Sequence, residues 1–548
     1  MQETLDYFFG ASLADKGLIS LVIISMSVSV VLSLRLVKST LLSWFLIILV
    51  FVGSYFPIGT TPLIHILIYI VPAILLGLVI NGLLSGEEEE KKSTNPFIVS
   101  YYTDKGTQYI DIVRGLGIFG AAGSGKTASG FLPIIKHAAG QGLCGMVYDY
   151  KDFELTELVQ GYYQKSKVPV YIVSPHRPEL SHRVNPIHPD YLTSYNDAHA
   201  FSSALMDNLL KGDGENFFSQ AAKGAMAGVI WKLRNAFVDS NTPDKCSLPY
   251  ATAVFLKKSP EALVEFLLSD DEASVLAKAF LDSAGSDRQM AGVMGSISNA
   301  VVQLASPEVF HVFSGNDIPL DLNRPGSEGL LCVVGHPKYE KVLSPFIATL
   351  VRCVLLRMSE RDRLPSMLLL DEFPTLNLAD VSRIPATMRS YGIATVLGVQ
   401  DKVQMAETYK ETTMKALIAN LSSRILGKVN DPDTARFYER YFELVDEEHR
   451  STTRRAGILS TGGNASVTIS SRERAKHRAQ EFHKLRPGEL FFLDEKGISK
   501  KVRVVLEKKE KVPKLEYQYE STGQEKTSVD PHQLKERFNR ILEEASNF

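Results

Sequence analysis

A chain of 548 residues, 45% apolar and 22% charged, is too long for one small domain and too apolar to stay disordered. Its formal charge of −2 excludes binding to nucleic acid through net charge, so any such site must be a local patch. Cys144, Cys246, Cys332 and Cys353 form no CxxC pair, which excludes a disulfide framework or zinc site and reads as reduced thiols of a cytosolic domain.

The N-terminal region is apolar. Leu18 to Leu34 carries no charge, and after Arg35 and Lys38 a second uncharged run extends from Ser39 to Gly86, broken by GSYFPIGTTP (53–62). A spanning helix needs ~20 apolar residues. One span over the first run and two over 39–56 and 63–84 are therefore expected, with two spans in all as the alternative. No small-residue cleavage site follows the first run, which argues against a signal peptide. Arg35 and Lys38, then Lys91 and Lys92, place the 35–38 loop and everything after residue 86 in the cytoplasm. The reading is an anchor over 1–86, multi-pass and in contact with membrane lipid, then a charged linker over 87–96.

The soluble body begins near Phe97. FIVSYY and TQYIDIV flank TDKG and predict a hairpin. Short β-rich runs then alternate with helical patterns: GLGIFG (115–120), GLCGMVYDY (142–150), VPVYIVS (168–174), GLLCVVG (329–335), SMLLLDE (366–372), GIATVLGVQ (392–400), SSRILGKV (422–429) and ELFFLDE (489–495). Runs apolar at consecutive positions suit strands buried on both faces, hence an α/β fold with a mostly parallel sheet and helices on both sides. Between 191 and 314 only helical periodicity is found, which predicts an all-α insert dividing the α/β domain into 97–190 and 315–505. The charged tail, 506–548, reads as mobile and ends in a helix over 531–546, either solvated or docking a partner.

Gly120-Ala121-Ala122-Gly123-Ser124-Gly125-Lys126-Thr127, followed by Ala128, fits GxxxxGK[ST] at every fixed position, after a strand and at the start of a helix. Such a loop turns backbone N–H groups and a helix N-terminus toward phosphate oxygens. Lys126 is expected to reach the β- and γ-phosphates, and Thr127 to ligate Mg²⁺. In Met367-Leu-Leu-Leu-Asp371-Glu372 a buried strand ends in two carboxylates. Asp371 is expected to hold the magnesium and Glu372 to polarise the attacking water. The expected ligands are thus ATP and Mg²⁺, in an ATP hydrolase.

LLLDEFPTL (368–376) with GAAGSGKT resembles the TraG/TraD-type coupling proteins of type IV secretion and conjugation, relatives of the FtsK/HerA motor ATPases. The resemblance continues in MVYDYKDFELTEL (146–158), VNPI (184–187), FFSQAAKGAM (217–226), MRSYGIATVLGVQDKVQM (388–405), ALIANLSSRILGKVNDPDTARFYE (416–439) and LRPGELFFL (485–493). It implies a RecA-like P-loop ATPase domain with an all-α insert and an N-terminal transmembrane anchor. It also implies Gln400 as a polar sensor and Arg389 as an arginine finger acting on a neighbouring subunit's ATP, with Arg383 as the rival. Asp149, Lys151 and Glu154 match the family's strand-end pattern, and read equally as helix capping with local ion pairs. The implied function is a homohexameric ATPase of the bacterial inner membrane that delivers a relaxase with single-stranded DNA to a type IV secretion channel. Delivery of effector or adaptor proteins alone, or a docking receptor with structural ATP, are the alternatives.

The basic stretches HRSTTRR (449–455) and SRERAKHR (471–478) flank the glycine-containing AGILSTGGNAS. They read as a flexible basic loop that puts Arg454, Arg455, Arg472, Arg474, Lys476 and Arg478 against a phosphate backbone, although Glu473 interrupts them and a solvated face is the alternative. Three features depart from the family pattern: three spans, Asp401 where serine is commoner, and a short tail.

Overall fold

The computed structural model describes residues 95–210, 216–442, 444–454, 465–494, 499–505 and 529–548. The expected membrane spans, most of the linker, Arg455 and residues 506–528 lie outside them. Among the described residues no helix is long and apolar enough to cross a membrane.

In chain order, β1 (Ile98–Tyr101) and β2 (Gln108–Asp111) form the expected hairpin. β3 (Leu116–Phe119) leads through a π-helical turn, Lys126–Phe131, into α1 (Leu132–Gln141). β4 (Cys144–Asp149), α2 (Glu154–Tyr163) and β5 (Val170–Val173) follow. A block of helices then runs through α3 (Tyr195–Leu209), α4 (Phe217–Phe237), α5 (Leu248–Lys257), α6 (Pro260–Leu268), α7 (Asp271–Leu276), α8 (Lys278–Ser283), α9 (Asp287–Leu304) and α10 (Pro307–Val312). The chain returns with β6 (Leu330–Val334), α11 (Glu340–Met358), β7 (Ser366–Leu370), α12 (Ile384–Ser390), β8 (Ile393–Val399), α13 (Lys402–Ala419), β9 (Ser423–Leu426) and α14 (Pro432–Glu439). It closes with β10 (Leu444–Arg454), β11 (Ala465–Ala475), α15 (Ala479–His483), β12 (Glu489–Leu493), β13 (Ser499–Arg503) and α16 (Pro531–Ser546).

Nine strands form one sheet in the order β13-β12-β9-β3-β8-β7-β4-β6-β5. The seven from β9 to β5 are parallel, and β12 and β13 add an antiparallel edge. The two-residue period of a strand explains why these runs are apolar throughout. In β7, Met367 and Leu369 join the core that contains α1, α2 and the β1–β2 hairpin, whereas Leu368 and Leu370 join the larger core that contains the helical block.

Two expectations are corrected. The basic segment is no flexible loop through most of its length: β10 and β11 pair in antiparallel register from Leu444↔Ala475 to Arg454↔Ala465, so Arg454, Arg472 and Arg474 sit on a two-stranded ribbon. A ribbon that pairs with itself needs no apolar face, so no hydrophobic alternation marked it. The end of the tail is no mobile appendage either. α16 packs on α5 and α10, where Ile541 is 1% exposed and the rings of Phe310 and Phe538 lie 4.8 Å apart. The Tyr250 hydroxyl donates to Glu544 at 2.6 Å, and Lys245 Nζ lies 3.0 Å from the same carboxylate. Arg537 donates to His311 Nδ1 at 3.2 Å, and burial together with the Arg537 and Arg183 charges brings His311 down to about 4. An uncharged His311 is therefore the acceptor that Arg537 meets at neutral pH.

Candidate active site

The strand order brings the two motifs together. β8 lies between β3, which carries the glycine loop, and β7, which ends in Asp371-Glu372. Parallel pairing aligns Phe119 with Val399 and Leu370 with Leu397, so the carboxyl ends of all three strands open onto one crevice. Ligands of open α/β sheets bind at that edge.

The loop is tied down at its base. Gly120 N–H donates to Val399 O at 3.0 Å, Ala121 N–H to Lys428 O at 2.8 Å, and Ser124 N–H to Ala121 O at 3.0 Å. Ala122 and Gly123 stand exposed at the tip. Gly125 has φ 91°, and a Cβ there would come within 3.0 Å of the Gly488 nitrogen, so conformation and space both demand glycine. The helix after it starts as a π-turn, in which Leu132 N–H donates to Thr127 O; Pro133, next in the chain, has no N–H to offer.

Lys126 is 6% exposed, and its Nζ lies 3.3 Å from Glu372 Oε2. Burial pushes the Lys126 ammonium below its ordinary range, although the Glu372 and Asp371 charges oppose this. Asp371 is 2% exposed, and burial raises its carboxyl to about 6 against the pull of Lys151 and Lys126. Three buried polar atoms here have no hydrogen-bond partner among the described residues: Asp371 Oδ1, Glu372 Oε1 and Ser124 Oγ. Orphaned carboxylate oxygens beside a buried ammonium are what a magnesium–phosphate ligand would satisfy, so the residues present fit the expected ATP and Mg²⁺.

Supporting residues that sequence reading missed hold this geometry. Glu372 adopts a left-handed backbone, φ 50° and ψ 46°, a strained state for a non-glycine residue. Its carbonyl accepts from Thr375 N–H at 3.0 Å and from the Thr375 hydroxyl at 2.8 Å, and Tyr148 Oη stands 3.0 Å from that hydroxyl. Gly398 in β8 is another glycine that space requires: a Cβ would lie 2.6 Å from the Phe131 ring and 3.2 Å from Asp371 Oδ1. The only sequence signal was the helical spacing of Thr375 from Glu372, too common to single out.

The remaining candidates fall in five groups. Gln400 follows β8 at the crevice and is half-buried, and Asp401 caps α13 by accepting from Gln404 N–H at 2.9 Å, a role that aspartate and serine fill alike. Arg389 on α12 and Arg383 just before it are both exposed, and among the described residues neither forms an ion pair. Thr127 and Ala128 lie half-buried at the start of the π-turn. Asp149 is wholly buried, and its carboxylate accepts from the backbone N–H groups of Lys151, Leu155 and Thr156 and from the Thr156 hydroxyl at 2.8–3.1 Å. It caps α2. Lys476 and Arg478 are exposed, the latter at the start of α15.

A glycine-lysine-threonine loop on β3, a carboxylate pair on β7 and an interposed β8 define a P-loop nucleotide-binding protein of the RecA-like class. The chain matches the family described as type IV secretory system conjugative DNA transfer over residues 85–515, and it belongs to that family. Among solved structures it is similar to the bacterial conjugative coupling protein TrwB lacking its first 70 residues, at 16% identity and TM-score 0.56, over 73% of this chain and 87% of that one. TrwB in complex with ADP and Mg²⁺ matches at 17% identity and TM-score 0.55, over 72% and 86% of the two chains. TrwB with the ATP analogue ADPNP matches at 16% and 0.55, over the same shares. At such identities the likeness shows the fold. No protein of curated function matches the sequence.

Proposed function

We propose that this chain is a membrane-anchored coupling ATPase that recruits a relaxase with single-stranded DNA and delivers it to a type IV secretion channel. The observation that carries the catalytic part is the buried contact of Lys126 Nζ with Glu372 Oε2, at 3.3 Å, beside orphaned oxygens of both carboxylates. TrwB, of the same fold, is known with ADP and Mg²⁺.

The backbone of Gly123 to Ala128 and the Lys126 ammonium would hold the phosphates of ATP, and Thr127 and Asp371 would hold Mg²⁺. When bound, the magnesium neutralises charge on the phosphoryl oxygens. Glu372 acts as general base on the attacking water. In the present state its carboxylate is engaged by Lys126. Phosphate oxygens compete for that ammonium, so nucleotide binding releases Glu372 toward water and couples occupancy to basicity. Gln400 orients the water or terminal phosphate from the end of β8.

Arg389, exposed and without an ionic partner among the described residues, is suited to a neighbouring subunit's nucleotide, which supports a ring. The membrane anchor rests on the apolar runs before residue 86. The test is steady-state ATP hydrolysis by the full-length protein with and without single-stranded DNA, beside E372Q. Stimulation by DNA that E372Q abolishes supports the motor. Turnover indifferent to DNA points to protein cargo alone.

A further inference from the structure

Beyond Asp371 on the same edge of the sheet lies a loop that this chemistry leaves unused. After β4 the chain runs Tyr150-Lys151-Asp152-Phe153 into α2, and both Asp152 (φ 50°) and Phe153 (φ 72°) take left-handed conformations. Each costs on the order of 1 kcal/mol or more for a residue with a Cβ, so the surroundings must hold them.

They are held from three sides. Asp149 binds the loop from within, through the N–H of Lys151 at 3.1 Å and those of Leu155 and Thr156 at 2.8 Å. Asp152 N–H donates to Gly335 O at 3.3 Å, at the end of β6. The Asp152 carboxylate meets two imidazoles: His176 Nε2, past β5, donates to Oδ1 at 2.9 Å, and His336 Nε2 lies 3.9 Å from Oδ2. His336 Nδ1 accepts from the Lys338 backbone N–H at 3.0 Å, which leaves its proton on Nε2, toward Asp152. Burial lowers His176 and favours its neutral form, a donor at Nε2. The two rings are 5.2 Å apart, and Phe153 lies 6.0 Å from His176.

The clamped loop presents Lys151. Register pairs Tyr148 with Leu370, and Asp371 N–H donates to Tyr148 O at 3.1 Å, so the loop leaves β4 directly beside Asp371. The Lys151 charge acts on both Asp371 and Lys126. Its contact with Glu154, 3.8 Å at a partly exposed pair, is loose enough to be exchanged for a stronger anion. Lys151 is thus a second lysine at the Asp371 end of the site, free to leave Glu154 for the terminal phosphate of a bound nucleotide.

We propose that Lys151 is a second cation of the nucleotide site, recognising the terminal phosphate of ATP, and that Asp152, held by His176 with His336 beside it, is the positioning residue that places it. This rests on the ATP reading above. The test is binding, with Mg²⁺, of fluorescent ADP and of a fluorescent non-hydrolysable ATP analogue to the full-length protein and its variants. K151M is expected to weaken the ATP analogue about tenfold or more while ADP stays within about twofold, and K151R to restore most of the difference, because only the charge at the terminal phosphate is removed and returned. D152N and H176A lose the same discrimination to a smaller degree, and H176Q, which keeps a donor near Nε2, regains it. K151M that weakens both nucleotides equally, or neither, overturns the assignment. A parent chain that binds neither nucleotide overturns the ATP reading and the assignment with it.

Discussion

Lys126 and Glu372 stand 246 residues apart in the chain and 3.3 Å apart in the fold. Their pairing in a site nearly closed to water means that neither is idle before nucleotide arrives. The lysine neutralises the base, and the base helps keep the lysine charged against its burial. Replacing either one changes the other's environment.

E372Q is accordingly expected to lower kcat by about 10²–10⁴-fold, the range of general-base catalysis, while leaving nucleotide affinity within a few fold. Single-turnover hydrolysis and equilibrium binding on the same preparation check both halves. Affinity lost in step with turnover would show that Glu372 shapes the binding site rather than the chemistry.

Asp371 links the site to pH. Its carboxyl is raised to about 6 from an ordinary 3.8, so the folded nucleotide-free protein holds this proton more tightly than the unfolded chain does. For a group raised on folding, the stabilising contribution is complete below the unfolded value and is lost as pH rises through the folded one. D371N should therefore raise the thermal stability of the nucleotide-free protein at pH 7.5, by about 1–3 kcal/mol, with the gain fading between pH 6 and 4. The same variant should lose magnesium-dependent nucleotide binding. Melting curves at several pH values, with and without Mg²⁺ and nucleotide, separate the two effects.

Arg389 is exposed, and removing it should leave the fold untouched. R389A is expected to melt within about 1 °C of the parent yet to lose roughly 10³-fold in turnover if its guanidinium serves a neighbour's phosphates. Mixing R389A with K126A subunits should regain part of the activity, since some interfaces then pair an intact finger with an intact loop. No recovery in mixed assemblies, with R383A equally inactive alone, would move the role to Arg383.

The docking of α16 is open to direct measurement. Ile541 is 1% exposed against the helical block, and I541A should weaken the contact by about 2–5 kcal/mol. The expected result is faster amide exchange over residues 531–546 and at the facing surfaces of α5 and α10, with exchange at the sheet unchanged.

Much of this protein is legible in its sequence alone. The phosphate loop, the carboxylate pair on a buried strand and the eight strands of the sheet that carry apolar runs are local patterns, because burial on both faces demands unbroken apolar sequence and phosphate binding demands glycines at set spacing. Strands without such a demand escaped: β10 and β11 pair only with each other, and β13 (SKKVR) is an edge strand whose lysines keep it soluble rather than apolar. Tertiary structure alone decided what depends on contacts across the chain. It placed β8 between the two motifs and set Lys126 against Glu372. It made Asp149 a helix cap, where the residues allowed a cap or a site group, by surrounding it with four donors, one from the loop before α2 and three from its first turn. It put Asp152 between His176 and His336, residues that follow three different strands and meet because the sheet orders those strands as neighbours. A carboxylate's neighbours in space, unlike its neighbours in sequence, are fixed by strand order, and strand order is a property of the whole fold.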